Sequence, residues 1–165
     1  MQDTAELIKQ AQANDPIAAH KLWTHFTAEN EIEKAESYRK LAIELGHPET
    51  LYLTAAKFFE KPDMEHLEAA FELISAALKS EVFLDLDPEF RIGLRKNCKE
   101  LADKIEKAIS ELRMVEKAAR PVEQLGGAEA YNLAVQLVGK DVNGNKDKIL
   151  ELLDHASLLG IFQAK

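Results

Sequence analysis

Residues 34–46 read KAESYRKLAIELG, and this stretch decides how the rest of the chain is interpreted. Its apolar residues recur every three or four positions, which is the spacing of one face of an α-helix. They are Ala35, Tyr38, Leu41, Ala42 and Leu45. Gly46 follows the run, where a residue that tolerates a positive φ can end a helix. The stretch therefore predicts an amphipathic helix over 32–45.

Helix signals of this kind cover most of the chain, whereas strand signals are scarce. Proline follows a capping residue at Asp15-Pro16, His47-Pro48 and Asp87-Pro88. Each pair predicts a helix start, because a proline in the first turn sacrifices no hydrogen bond. The predicted helices are 4–13, 16–28, 32–45, 48–59, 64–79, 88–120, 128–138 and 146–159.

The stretch 34–46 recurs as an internal repeat, aligned with 68–80 and again with 148–160. A small residue precedes the stop in each copy, at Ala42, Ala76 and Ala156. The preceding helices align as well, through the sets Ala19, Trp23 and Phe26; Leu51, Ala55 and Phe58; Tyr131, Val135 and Val138. A fixed repeat of helix pairs predicts a stacked array. The pairs are expected at 16–46, 48–80 and 128–160.

The segment 88–120 interrupts this repeat. Its apolar residues follow alternating steps of four and three for over three heptads, which is typical of one long helix. They are Leu94, Cys98, Leu101, Ile105, Ala108, Leu112, Val115 and Ala119. The alternative is two helices broken near Ser110. We therefore predict an all-α single domain over 1–165, a short α-solenoid of antiparallel helix pairs with a long helix or helix pair in the middle.

The repeat resembles the Sel-one-like repeat family, relatives of the tetratricopeptide repeats. Lys34-Ala35, Tyr38, Leu41-Ala42 and Gly46 match the second helix of that family best. Weaker matches are Lys148, Ala156 and Gly160 in the last copy, and Glu68-Ala69 and Ala76-Ala77 in the middle one. The resemblance implies scaffolding or adaptor work rather than catalysis.

Charge and composition exclude several classes of partner. The chain has 165 residues and a formal charge of −8, from 21 Lys and Arg against 29 Asp and Glu. This surface would repel a phosphate backbone, so nucleic acid is not expected as a partner. No stretch is long and apolar enough for a bilayer, and no membrane partner is expected. One cysteine, Cys98, fits a reducing compartment, and cytoplasm is the predicted location.

No pattern in the sequence predicts catalysis, a cofactor or a metal. The five histidines include no two at the spacing that aims both at one ion from a helix face. Cys98 lies on the apolar seam of its helix, where cysteine is commonly an inert core residue. The loop 141–147 begins like a calcium loop, but Lys146 stands where that loop needs glycine. A turn with Asn145 as the cap of the next helix is the preferred interpretation.

The function expected from the sequence is binding of another protein. The first helices of the pairs would line a groove, with His20, Tyr52 and Asn132 at one equivalent position and Thr24, Ala56 and Gln136 one turn later. These residues could instead face solvent or the next pair.

The alternative function is an acidic inhibitor or immunity-type protein that occludes a basic site. Residues 1–87 carry eight basic against seventeen acidic residues, and Glu31, Glu33 and Glu36 would meet the partner. Ile161 and Phe162 follow the last helix stop, and self-association through them is a further expectation.

Overall fold

The computed structural model describes residues 3–160, and these divide into two compact units between Ile109 and Ser110. The sequence predicted one domain over 1–165; each unit is described by itself below. Within 3–160 the chain is all-helical, without strands. The helices are α1 (Thr4–Gln12), α2 (Pro16–Ala28), α3 (Ile32–Glu44), α4 (Pro48–Phe59), α5 (Met64–Lys79), α6 (Pro88–Ala119), α7 (Gly127–Lys140) and α8 (Lys146–Leu158). Two 3₁₀ turns, Glu81–Asp85 and Val122–Gln124, were not predicted.

Local capping sets the helix starts where the sequence predicted them. The Asp15 carboxylate accepts hydrogen bonds from the backbone N–H groups of Ile17 and Ala18, at 2.8 and 3.2 Å. The Asp87 carboxylate does the same for Glu89 and Phe90, at 3.0 and 3.2 Å. These bonds satisfy donors that the helix itself cannot pair.

The predicted cap of α8 lies at the expected position but does not act through its side chain. Asn145 is the N-cap residue of α8, and its side chain makes no capping hydrogen bond there. Its amide instead donates to the carbonyl oxygen of Asp141 at 2.9 Å, while the Asp141 carboxylate accepts from the N–H of Gly144 at 3.0 Å. The loop before α8 is therefore held by Asp141 and by an asparagine that stabilises the turn rather than the helix.

The first unit is built from α1 to α5 and the first part of α6. The pairs α2 with α3 and α4 with α5 pack closely, α1 covers α2, and α3 contacts α4. One core lies among α1, α2 and α3, and its buried residues are Leu7, Ala11, Ala18, Ala19, Leu22, Phe26, Ala35 and Ala42. The many alanines allow the helix backbones to approach closely, because a methyl side chain takes up little space between them.

The repeat register of the second pair is shifted by one residue from the prediction. Ala77 is fully buried whereas Ala76 is exposed, so Ala77 is the counterpart of Ala42. One residue rotates a side chain by 100° around a helix, which is enough to move it off the buried face. The corrected template is a seven-residue step between buried positions in the second helix of each pair. These steps are Ala35 to Ala42, Ala70 to Ala77 and Ile149 to Ala156.

The segment 88–120 forms one continuous helix, so the alternative of a break near Ser110 is not observed. The predicted seam is buried at Leu94, Cys98, Leu101 and Ile105. It fails further on, since Val115 is 59% exposed.

Two residues that lie off the seam, Met114 and Ala118, pack into the core of the second unit. The prediction assumed that one face of the helix is buried along its whole length. The two units bury different residues of α6, and the seam therefore stops being the buried face.

The second unit pairs α7 with α8. Its core comprises Met114, Val122, Leu125, Ala130, Leu133, Ala134, Leu137, Ile149, Leu152 and Ala156. A ring nitrogen of His155 lies 2.9 Å from the carbonyl oxygen of Leu125 and ties α8 to the 3₁₀ turn. Val135 and Val138, which were predicted to face the core, are about half exposed. The buried residues of α7 are those one position earlier, Ala134 and Leu137.

Gly46 is the point where the two second helices of the first unit meet. Its φ is +75°, and its carbonyl oxygen accepts a hydrogen bond from the hydroxyl of Ser80. The Ser80 oxygen also accepts from the N–H of Val82 at 3.2 Å, which starts the 3₁₀ turn. The end of α3 is thus fixed to the end of α5 through one hydroxyl group.

We predict that Gly46→Ala lowers the free energy of unfolding by about 1 kcal/mol, because a Cβ is strained at positive φ. A Cβ at Gly46 would contact only the Ser80 oxygen, at 3.7 Å, so strain and not a clash is tested. Gly93→Ala is the matched control within α6, since a Cβ there meets nothing within 4 Å. It should raise stability by about 0.5–1 kcal/mol. Equal effects of the two substitutions in urea denaturation would contradict this interpretation.

Candidate functional site

The contact between α2 and α4 contains a cluster of buried polar groups. The Nε2 atom of His20 lies 3.0 Å from the Glu49 carboxylate, and its Nδ1 lies 2.8 Å from the Thr50 hydroxyl. The Nδ1 of His47 accepts from the N–H of Thr50 at 3.4 Å and lies 3.2 Å from the same hydroxyl. The two imidazole rings stack with centroids 4.2 Å apart. These four side chains are called the histidine cluster below.

The histidine cluster has the order carboxylate, imidazole, hydroxyl that activates a nucleophile in hydrolases. Because a carboxylate only accepts, Nε2 of His20 donates to Glu49. The hydroxyl that would attack belongs to Thr50, which is 0% exposed. A substrate cannot reach it, so the arrangement pairs buried polar groups and holds α4 against α2.

Charge within the histidine cluster is unevenly distributed. The hydrogen bond from His20 lowers the pKa of Glu49 below its usual value. Burial, and next the nearby His20, lower the pKa of His47 to about 4. His47 is therefore neutral at pH 7, which leaves its Nδ1 free to accept from Thr50 as the cap of α4.

A cleft of about 860 Å³ opens beside this cluster, between the last turns of α2 and α4 and the first half of α3. We call it the α2–α3–α4 cleft. It is lined by Trp23, Phe26, Thr27, Asn30, Ile32, Ala35, Glu36, Arg39, Leu53, Thr54, Ala56, Lys57, Phe58, Glu60 and Lys61. Two other hollows of the first unit are smaller, at about 240 and 370 Å³.

The apolar part of the cleft includes side chains that the fold leaves in contact with solvent. Ile32 is 72% exposed, Leu53 is 40% exposed, and Trp23 is half-buried. Phe26 lies deeper, stacked on Tyr38 with ring centroids 5.5 Å apart. Large apolar side chains on a concave surface are a common mark of a binding site.

The polar part of the cleft is centred on an ion pair. The Nε of Arg39 donates to one oxygen of Glu36 at 2.8 Å, and its second terminal nitrogen donates to the other oxygen. The remaining terminal nitrogen lies 3.4 Å from the Thr54 hydroxyl, which donates to the carbonyl oxygen of Thr50 at 2.8 Å. The bond from Arg39 lowers the pKa of Glu36. This chain of bonds links the cleft to the histidine cluster.

Four of the predicted groove residues are in the first unit, and of these only Ala56 lines the cleft. His20 belongs to the histidine cluster, with its side chain 12% exposed. Thr24 is exposed, and its hydroxyl donates to the carbonyl oxygen of Lys21. Tyr52 lies in a separate hollow of about 240 Å³ against the start of α6, beside Phe90.

The other predicted site residues have the following positions. Asn132 and Gln136 are exposed on α7 in the second unit, and the corrected register makes Tyr131 and Val135 the counterparts of His20 and Thr24. Glu31 pairs with Lys34 and Glu33 is exposed, whereas Glu36 is the only one of these three acids that lines the cleft. Ile161 and Phe162 lie outside the described residues.

Most residues of the cleft were not predicted as site residues, and Trp23, Arg39 and Lys57 are examples. Trp23 was assigned to the core stripe of α2, and it does lie next to that stripe, but its ring reaches the cleft. Arg39 and Lys57 received no role. One feature of the sequence could have indicated them, since Arg39 and Lys57 are basic residues on amphipathic helices in an acidic segment. The helical wheel of a single helix cannot show that both line the same cleft.

Among residues 3–160, no group of three or more His, Cys, Asp or Glu side chains could hold a metal ion. No helix in this range is long and apolar enough to cross a membrane. Cys98 is buried, and burial raises the pKa of its thiol to about 11, which disfavours the reactive thiolate.

We predict that acid destabilises the first unit through His47. Because folding lowers the pKa of His47 from its ordinary value of 6.5 to about 4, the unfolded state binds the proton more strongly between these two pH values. The contribution of neutral His47 to the free energy of unfolding is complete above pH 6.5 and is lost as the pH falls toward about 4. The loss should be about 3 kcal/mol between pH 7 and pH 4.

In the variant His47→Asn, a side-chain oxygen takes the place of the capping Nδ1 as hydrogen-bond acceptor, and the side chain cannot titrate. In urea denaturation at several pH values, it should lose less stability on acidification than the natural protein. His66→Gln is the control, because His66 lies at the start of α5, next to the exposed carboxylate of Asp63. An unchanged pH dependence in His47→Asn would show that His47 is not the group responsible.

Comparison with known proteins gives no relative for this chain: no family model, no curated protein and no solved structure matches it. The resemblance to the Sel-one-like repeats therefore stays a prediction from sequence.

Proposed function

We propose that this chain is a protein-binding or adaptor domain, and that the α2–α3–α4 cleft holds part of its partner. The observation that carries this proposal is the exposure of Ile32, Leu53 and Trp23 along one concave surface. Burial of such side chains by a partner is favourable, at about 25 cal/mol for each Å² removed from water. The proposed function moves the binding site from the predicted groove to this cleft.

The shape and lining of the cleft support this assignment. Its volume of about 860 Å³ falls within the range of about 300–1,000 Å³ that binding pockets usually have. An aromatic side chain, Trp23, and an arginine that is already held in place, Arg39, both line it. Tryptophan and arginine are the residue types enriched where binding energy is concentrated. The resemblance to an adaptor repeat family favours the same function.

The acidic inhibitor stays an alternative of lower priority. Two of the three acids that were predicted to meet a basic partner already have internal partners, because Glu31 pairs with Lys34 and Glu36 with Arg39. Exposed ion pairs of this kind are weak, so a partner could still compete for them. The structure offers no concave acidic surface among them that favours this function over the cleft.

The test places a photo-crosslinking amino acid at position 32 in the full chain, expressed in the cells that make it. We predict a covalent adduct with one specific protein, because Ile32 lies at the cleft and is 72% exposed. Leu84 is the matched control, with the same exposed fraction of 72% but a position outside the cleft. The adduct is identified by mass spectrometry and the partner is then tested as a purified protein.

The decisive variant is Ala56→Arg, which fills the cleft from α4. It should remove the adduct at position 32 and reduce the affinity of the purified partner at least about tenfold, corresponding to about 1.4 kcal/mol. Circular dichroism confirms that the variant is folded. Equal adducts at positions 32 and 84, or an adduct that survives Ala56→Arg, would refute the cleft as the binding site.

A further inference from the structure

Several polar side chains of the α2–α3–α4 cleft already have internal partners. The hydroxyl of Thr27 donates to the carbonyl oxygen of Trp23 at 2.7 Å, and that of Thr54 donates to the carbonyl oxygen of Thr50. Glu36 and Arg39 are paired with each other. The lining elements are helices, whose inner turns pair their backbone groups internally, so the cleft offers no strand edge to extend.

The lack of a strand edge restricts the backbone of any occupant. An extended peptide would find no ladder of backbone partners in the cleft, and each of its N–H or C=O groups that is buried there without a partner costs about 1–3 kcal/mol. An α-helix satisfies its backbone internally and presents only side chains. The cleft therefore favours a helix over an extended segment, because the helix brings no unpaired backbone into it.

The apolar lining defines one face of that helix. Trp23 on α2, Ile32 on α3 and Leu53 on α4 contribute exposed apolar surface from three different helices. A helix that contacts all three needs apolar side chains at positions i, i+3 or i+4, and i+7. Its opposite face stays in solvent.

The charge of the cleft defines the residues beside that face. Three basic side chains line it, Arg39, Lys57 and Lys61, against two acidic ones, Glu36 and Glu60. Residues 1–87, in contrast, carry eight basic and seventeen acidic residues. Lys57 and Lys61 are both exposed and lie one turn apart, since Lys61 directly follows α4. Carboxylates of a partner helix can reach them while the apolar face is buried.

We propose that the occupant of the cleft is an amphipathic α-helix of another protein, with acidic side chains beside its apolar face. The juxtaposition that carries this proposal is an apolar surface from three helices, with no strand edge to extend, next to exposed Lys57 and Lys61. It rests on the proposed function and specifies the partner.

The test is a display selection of random 16-residue peptides against the purified full-length chain. Enriched peptides should have apolar residues at helical spacing together with Asp or Glu, and should gain helical circular dichroism on binding. A proline in the middle of such a peptide should abolish binding, because proline breaks a helix. Ala56→Arg should reduce the affinity at least about tenfold.

The charge contribution is tested with matched double variants. Lys57→Glu with Lys61→Glu should weaken the enriched peptides about tenfold, and peptides with Lys in place of the acids should bind this variant better than the natural protein. Lys104→Glu with Lys107→Glu makes the same change of charge at exposed positions of α6 and should leave the affinity unchanged. All four positions are exposed, so the fold should tolerate the changes.

Each other outcome overturns the inference. Enriched peptides that tolerate proline or lack helical spacing would show an extended occupant, and indifference to Lys57→Glu with Lys61→Glu would exclude the acidic character. A selection without cleft-dependent peptides also counts against it. If any of these results accompanies a specific adduct at position 32, protein binding stands and only the helical, acidic partner is refuted.

Discussion

The fold of the first unit depends on the need to pair the polar groups that are buried between α2 and α4. Thr50 is fully buried, and its hydroxyl and backbone N–H find partners only if His20 and His47 lie in one particular position. An apolar contact can slide by a fraction of a turn at little cost, whereas a displaced hydrogen bond leaves a buried group unpaired. The histidine cluster therefore sets the distance and register between the two helices. That spacing in turn produces the α2–α3–α4 cleft.

The helices could be predicted from the sequence because the signals that start and stop them are local. Asp15 and Asp87 cap the helices that they precede, and Gly46 adopts the positive φ that ends α3. The register of the repeat could not be predicted to the residue. Ala76 and Ala77 are chemically identical, and only the position of the neighbouring helix decides which of them is buried. The same limit applies to Val115, whose heptad position is correct but whose surroundings are not apolar.

The candidate site was less predictable than the fold, because it is formed by three helices together. His20 was singled out as a polar residue beside a core stripe, which is correct, but its partners Glu49 and Thr50 are thirty residues away in sequence. Trp23 fits a core stripe in its own helix and still lines an open surface. The periodicity of one helix does not specify the angle at which the next helix crosses it, because that angle depends on the side chains of both helices.

The chain contains a single tryptophan, and this is Trp23 in the cleft. Its fluorescence therefore reports on one surface of one unit without any label or substitution. A ligand that excludes water from the indole ring would shift the emission to shorter wavelength.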